Sequence, residues 1–279
     1  MCQNGVQMCQ NVSNGVRQGG ILSPYLFSVY VDDLSFCLTQ SETGCSINNI
    51  FVNHLFYADD LCLLAPSASG LQSLLNTCTE YGLENDIIYN PIKSIALVIK
   101  PARFKLKCPD VFLGKHKLEY HVFVKYLGFI IKEIFCDDDD MSRQLRSLYY
   151  RANSLLQKFN KCSIEVKKTL FNSYCASMYC PHLWVNYTKC MYNKLKVAYN
   201  NVFRRLLGYR KFDSASHMFV TNRLDNFEVK LRKSVYKFMQ RLTASNNDLI
   251  STLSAIDQAS NGMWYQWSKS LYTNYHMNT

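Results

Sequence analysis

Between Leu55 and Leu64 an apolar stretch is cut once, by the adjacent carboxylates Asp59 and Asp60. Leu55-Phe56-Tyr57 leads into the acids and Leu61-Cys62-Leu63-Leu64 leads out of them. Aspartate is disfavoured in strands, so the pattern predicts two short strands, over 50–57 and 61–65, joined by a hairpin whose tip is Ala58-Asp59-Asp60. Two like charges side by side repel unless a cation sits against them, and clustered carboxylate oxygens suit a hard divalent ion such as Mg2+. Taken by itself, an Asp-Asp dipeptide is equally at home in an ordinary polar turn.

A second segment narrows the choice. Asn14-Gly15-Val16-Arg17-Gln18-Gly19-Gly20-Ile21-Leu22 is a loop whose glycines let the backbone approach a ligand, with a charge and an amide beside them. Ser23 followed by Pro24 is a helix start, and Leu26, Phe27, Tyr30, Val31 and Leu34 supply that helix with an apolar face. Asp32 and Asp33, placed near its end and about 100° apart around its axis, are read as solvated rather than as a second metal site.

Tyr57-Ala58-Asp59-Asp60 between apolar strands resembles the catalytic hairpin of reverse transcriptases. Residues 14–27, about forty positions earlier, resemble their template-gripping loop and helix. The likeness points to an N-terminally truncated reverse transcriptase of a non-LTR (LINE-like) retrotransposon. It implies that Asp59 and Asp60 are catalytic and hold Mg2+, with Mn2+ as a substitute. It also implies that Arg17, Gln18, Gly19, Gly20 and Tyr57 lie against template and nucleotide. Lys93, in Asn90-Pro91-Ile92-Lys93-Ser94, would serve as a proton donor near the leaving pyrophosphate, and Tyr126, Leu127 and Gly128 as a primer grip. The expected partners are an RNA template, a DNA primer or hybrid duplex, and deoxynucleotides. The family carries a further aspartate on an earlier strand, together with fingers, and both would precede Met1. On that reading the chain by itself is expected to be inactive, and a non-catalytic nucleic-acid-binding remnant of a mobile element is the alternative.

The rest of the chain completes an α+β expectation. After the hairpin, Leu71, Leu74, Leu75, Cys78 and Tyr81 fall at helical spacing, with Gly82 as the stop. Strands are predicted over 86–90 and 95–100, and a small hairpin within 104–132, so that an antiparallel sheet carries helices on one side. Asp137 to Asp140 are an acidic run suited to a helix N-terminus. From Met141 onward the periodicity is helical: 141–159, 164–179, 188–207 with Gly208 as stop, and 225–242 with Asp225 and Glu228 as a capping pair. The domain expectation is a partial polymerase palm at 1–136, a basic helical thumb-like region at 137–245 and a tail at 246–279.

Charge divides along the same line. Residues 1–140 hold 10 Lys and Arg against 15 Asp and Glu, and residues 141–279 hold 21 against 6, within a net charge of +10. A segment that basic concentrates polyanions, and Arg204, Arg205, Arg210 and Lys211 among Leu206, Leu207 and Tyr209 suit a nucleic-acid backbone. The twelve cysteines contain no C-x-x-C pair, so reduced thiols are expected rather than a zinc ribbon or a redox motif. Trp184 and Trp264 are read as packing residues. No run long enough to span a membrane occurs, and a nuclear or cytoplasmic location is the expectation.

Overall fold

A computed structural model describes residues 20–48, 50–101, 103 and 107–259. These divide into two compact units, one built within Met1–Ser94 and Lys107–Leu118, the other within Ile95–Leu106 and Glu119–Thr279.

In the first unit, helix α1 (Ser23–Tyr30) stops at Val31, and α2 (Asp32–Gln40) starts directly after it. The single helix expected through Leu34 is therefore two. Asp32 and Asp33 stand in the first turn of α2, where the helix dipole favours anions, rather than near a helix end. Two hairpins follow, β1 (Cys45–Ile47) with β2 (Ile50–Val52) and β3 (His54–Tyr57) with β4 (Asp60–Leu63). Helix α3 (Ala68–Glu84) is capped by the Ser67 hydroxyl, which accepts from the Gly70 N–H at 3.1 Å. Its Leu74, Cys78 and Tyr81 close against Leu34 and Leu38 of α2 to form the buried core of this unit.

Gly82 lies inside α3 rather than ending it. A Cβ there would stand 2.8 Å from the Ile87 carbonyl oxygen and from the Tyr89 ring, so glycine allows the returning chain to pack on the helix. Residues 86–90 do that packing without forming the expected strand.

The second unit opens with β5 (Ile95–Leu97). Between β5 and its partner the chain forms β6 (Phe112–Leu113) and β7 (His116–Lys117) in the first unit, pinned to α3 by the Gln72 amide, which bonds both backbone groups of Phe112. Strand β8 (Glu119–His121) then returns to pair with β5 in parallel, and β9 (Phe123–Tyr126) pairs antiparallel with β10 (Phe129–Lys132). The antiparallel sheet expected from the strand pattern is thus a set of two-stranded ladders among the described residues, one of them parallel. A parallel pair needs a crossover of a dozen or more residues, and the excursion through β6 and β7 supplies it.

Helices α4 (Asp138–Phe159), α5 (Ile164–Leu170), α6 (Lys189–Leu207), α7 (Ala215–Thr221), α8 (Phe227–Thr243) and α9 (Asp248–Ala259) make up the remainder, with one π-helical turn at Phe171–Cys175 and a 3-10 turn at Pro181–Leu183. Gly208 ends α6 at φ +79°, as expected of a glycine stop. Asn226, not Asp225, caps α8, its side-chain oxygen accepting from the Val229 N–H at 2.9 Å. Asp225 is instead taken by Lys233 at 2.8 Å. The core is broad: Phe203 lies against Phe219 (4.4 Å between centroids) and Phe171 (4.9 Å), surrounded by Leu148, Leu195, Tyr199, Met218 and Phe227. No described helix is long and apolar enough to cross a membrane.

Each member of the acidic run has its own partner. Asp137 accepts from the Val185 and Asn186 amides, Asp138 from Thr188, and Asp139 pairs with Lys132 at 2.6 Å. Asp140 is fully buried and accepts from the Trp184 indole at 2.9 Å, the Arg143 guanidinium at 2.8 Å and the Ile130 amide at 3.3 Å. Trp184 is a packing residue, 3% exposed, as the sequence suggested. Trp264 falls outside the described residues.

Candidate active site

Strands β3 and β4 pair Tyr57 with Asp60, leaving Ala58 and Asp59 as a two-residue turn. Ala58 takes φ +51°, a left-handed conformation disfavoured for any residue with a Cβ. The turn holds Asp59 and Asp60 in solvent, with Tyr57 63% exposed beside them. Beneath the tip the hairpin is fixed by polar contacts. His54 is bonded through one ring nitrogen to the Ser35 hydroxyl (2.7 Å) and through the other to the Asn53 side-chain oxygen (2.6 Å). Asn53, 2% exposed, donates in turn to the Leu38 and Thr43 carbonyls. Burial lowers the pKa of His54. With the imidazole neutral, its N–H donates to Asn53 and its bare nitrogen accepts from Ser35, so that α2 and β3 are held in one register. Sequence reasoning missed this group, whose only local signal is an Asn-His pair at a strand start.

Among the described residues no group of three or more His, Cys, Asp or Glu forms a cage for a metal ion. Two exposed, adjacent carboxylates nevertheless match what Mg2+ takes from proteins that handle phosphates: one or two carboxylates, the rest being substrate oxygens and water. Asp59 and Asp60 are the residues that could hold it.

The other expected site residues are placed as follows. Arg17, Gln18 and Gly19 lie outside the described residues. Gly20 is half-buried, and its carbonyl accepts from the Ser23 N–H at 3.3 Å at the entry to α1. Lys93 is exposed in a turn organised by Asn90, whose side-chain oxygen accepts from the Ile92 and Lys93 amides. No described contact ties Lys93 to the acidic tip. Tyr126 ends β9, and Leu127-Gly128 form its turn to β10 with φ +46° and +81°. The Tyr179 hydroxyl donates to the Leu127 carbonyl at 2.6 Å, and a Cβ on Gly128 would come within 3.0 Å of the Tyr179 ring. Of the basic run, Arg204 is committed to the Asp213 carbonyl and the Asn201 side chain, whereas Arg205, Arg210 and Lys211 are exposed.

Residues 2–131, which include the acidic hairpin, match the family described as reverse transcriptase (RNA-dependent DNA polymerase). The chain carries reverse-transcriptase sequence. The relatives refine the kind. The RNA-directed DNA polymerase from mobile element jockey of Drosophila melanogaster is 24% identical over 253 residues, 87% of this chain and 27% of that protein. Its counterpart in Drosophila funebris is 22% identical over 270 residues, 93% of this chain and 28% of that protein. The Pol polyprotein of the type-2 retrotransposable element R2DM of Drosophila melanogaster is 41% identical over 69 residues, 25% of this chain and 6% of that protein. The reverse-transcriptase sequence is therefore of the LINE-like retrotransposon kind, and the chain spans about a quarter of the length of the jockey relatives it matches.

Proposed function

We propose that the chain acts in RNA-templated DNA synthesis, with Asp59 and Asp60 as the catalytic carboxylates. The observation that carries this is the two-residue turn that holds both acids exposed, inside the matched residues 2–131. In this reading residues 1–136 contain a partial palm, 137–245 a thumb-like region and 246–279 a tail. Bound Mg2+ would favour ionisation of the primer hydroxyl and neutralise charge on the departing pyrophosphate. Asp59 and Asp60 would hold the ion, while Arg17, Gln18, Gly19, Gly20 and Tyr57 orient template and incoming nucleotide. Tyr126, Leu127 and Gly128 would present a backbone turn to the primer terminus, and Lys93 would give a proton to the leaving group. The partners are an RNA template with its DNA primer or hybrid, and the setting is nuclear or cytoplasmic.

A second reading, nucleic-acid binding without catalysis, is favoured by the absence of a third carboxylate at the tip among the described residues. Primer extension separates the two. The chain joined in cis to the preceding segment of a jockey relative is expected to extend a primer on an RNA template, and Asp59→Ala to abolish extension while the chain alone shows none. Extension that survives Asp59→Ala overturns the assignment of the acids.

A further inference from the structure

Within the helical unit, the segment leading into the 3-10 turn and the C-terminal half of α8 enclose an open cleft of about 590 Å³, lined in part by Cys180, His182, Ser234, Lys237, Gln240 and Arg241. No carboxylate among the described residues lines it.

The walls are held together by side chains. His182 bonds Ser234 at 3.2 Å and stacks on Phe238 with ring centroids 4.2 Å apart, and the Arg241 guanidinium stands 5.7 Å from the Phe238 ring. Burial, and the Arg241 charge beside it, push the His182 pKa down to about 4. The imidazole is therefore a neutral wall at physiological pH, and the positive charge of the cleft comes from Lys237 and Arg241. These lie four residues apart, hence on one face of α8.

Two earlier cations of α8 are used differently. Lys230 and Lys233 both face Asp225, and Glu228 takes Lys196 at 2.6 Å. Lys237 and Arg241 form no ion pair with a carboxylate among the described residues. Two like charges one turn apart disfavour an isolated helix, and here they line a concave surface together with the Ser234 hydroxyl and the Gln240 amide.

We propose that this cleft is a binding site for a phosphodiester of a nucleic-acid strand. Arg241, fixed against Phe238, would engage a phosphate oxygen with its planar fork, and Lys237 would add a second charge one helical turn earlier. The Ser234 hydroxyl, bonded to His182, and Gln240, whose amide N–H donates to the Tyr236 hydroxyl at 2.8 Å and whose oxygen remains an acceptor, add polar groups of the kind that position a backbone without reading its bases. The inference rests on the proposed nucleic-acid-binding function and names a place on the chain where the strand is held.

The test is a salt titration of the full chain with an RNA–DNA hybrid oligonucleotide, read by fluorescence anisotropy. Each phosphate contact contributes about one unit to the slope of log affinity against log salt. Lys237→Gln with Arg241→Gln should lower the slope by about 2, while Lys233→Gln, which removes a charge already paired with Asp225, should lower it by less than one. Lys237→Arg with Arg241→Lys should keep the slope.

An unchanged slope in the Gln double variant, with the native chain still steeply salt-dependent, overturns the cleft and leaves the wider reading intact. A native chain with no salt-dependent affinity overturns the reading beneath it as well. Inorganic phosphate and a deoxynucleoside triphosphate, titrated alone against the His182 NMR signals, distinguish a free ligand. Saturation by either, together with an unchanged oligonucleotide slope, rejects a strand in favour of a free phosphate compound.

Discussion

Beneath the acidic hairpin five residues are buried together, Leu34, Leu38, Leu74, Cys78 and Tyr81, whereas the helical unit buries eighteen around Phe203 and Tyr199. The first unit leaves Ile21, Leu22, Tyr25, Leu26 and Val29 exposed along α1 and its approach. It holds its acidic tip by the hydrogen bonds of Asn53, His54 and Ser35. The second fixes its parts by apolar burial and by bonded carboxylates such as Asp140. Under the proposed function, a tip that meets a hydrated cation stays wet and takes its rigidity from polar contacts just below it. A surface that holds a polyanion can, under the same proposal, spread its charges over a large, independently packed core.

The largest expected effect is in the larger core. Phe203→Ala should lower the stability of the α4 to α8 amides to hydrogen exchange by about 4 kcal/mol, because the void falls among rings that cannot collapse into it. Leu74→Ala should cost about 3 kcal/mol in the first unit. If α3 amides keep their protection in that variant, the five-residue core is not what supports the hairpin and the contrast fails.

Asp140→Ala should follow at about 3 kcal/mol by urea denaturation, since it strands the Arg143 guanidinium and the Trp184 indole without an acceptor. A loss no larger than that of an exposed ion pair, under about 1 kcal/mol, would mean that burial rather than charge pairing holds β10 to α4.

Acid should act on both units through their histidines. His182 has its pKa lowered to about 4, so between about 6.5 and 4 the unfolded chain binds the extra proton. Stability is therefore complete above the ordinary histidine range and is lost as pH falls towards 4. The expected loss is roughly 2 kcal/mol after allowance for partial exposure. His54, also lowered by burial, acts in the same direction in the first unit. His182→Phe keeps a ring against Phe238 without a titratable group and should flatten the helical unit's share of the pH profile.

The smallest effect is a gain. Leu127 occupies a left-handed position before Gly128, where Asn-Gly is the preferred pair, so Leu127→Asn should raise thermal stability by about 1 kcal/mol. If Leu127 touches a primer, the same variant should weaken primer binding while stabilising the fold.

Much of this molecule is legible in its local sequence. The acidic hairpin, the amphipathic spans of α3, α4 and α6, the Gly208 stop and the buried Trp184 follow from alternation, helical spacing and glycine chemistry, which operate within a few residues. Other features depend on partners far along the chain. Strand β5 waits for a parallel partner more than twenty residues on, and Gly82 is required by Ile87 and Tyr89 folding back on α3. The acids at 137–140 resemble a solvated helix start until residues 184–188, with Lys132, Ile130 and Arg143, turn each into a bonded carboxylate. Asp225 has the form of a cap, yet Asn226 takes that role because Lys233, eight residues on, claims the aspartate. The residue types at the acidic tip were determined by sequence. The Ser35, His54 and Asn53 contacts beneath it, and the convergence of Lys237 and Arg241 on a cleft walled by His182, were decided by tertiary structure, because hydrogen bonds and charges act across space between segments whose separation along the chain carries no signal.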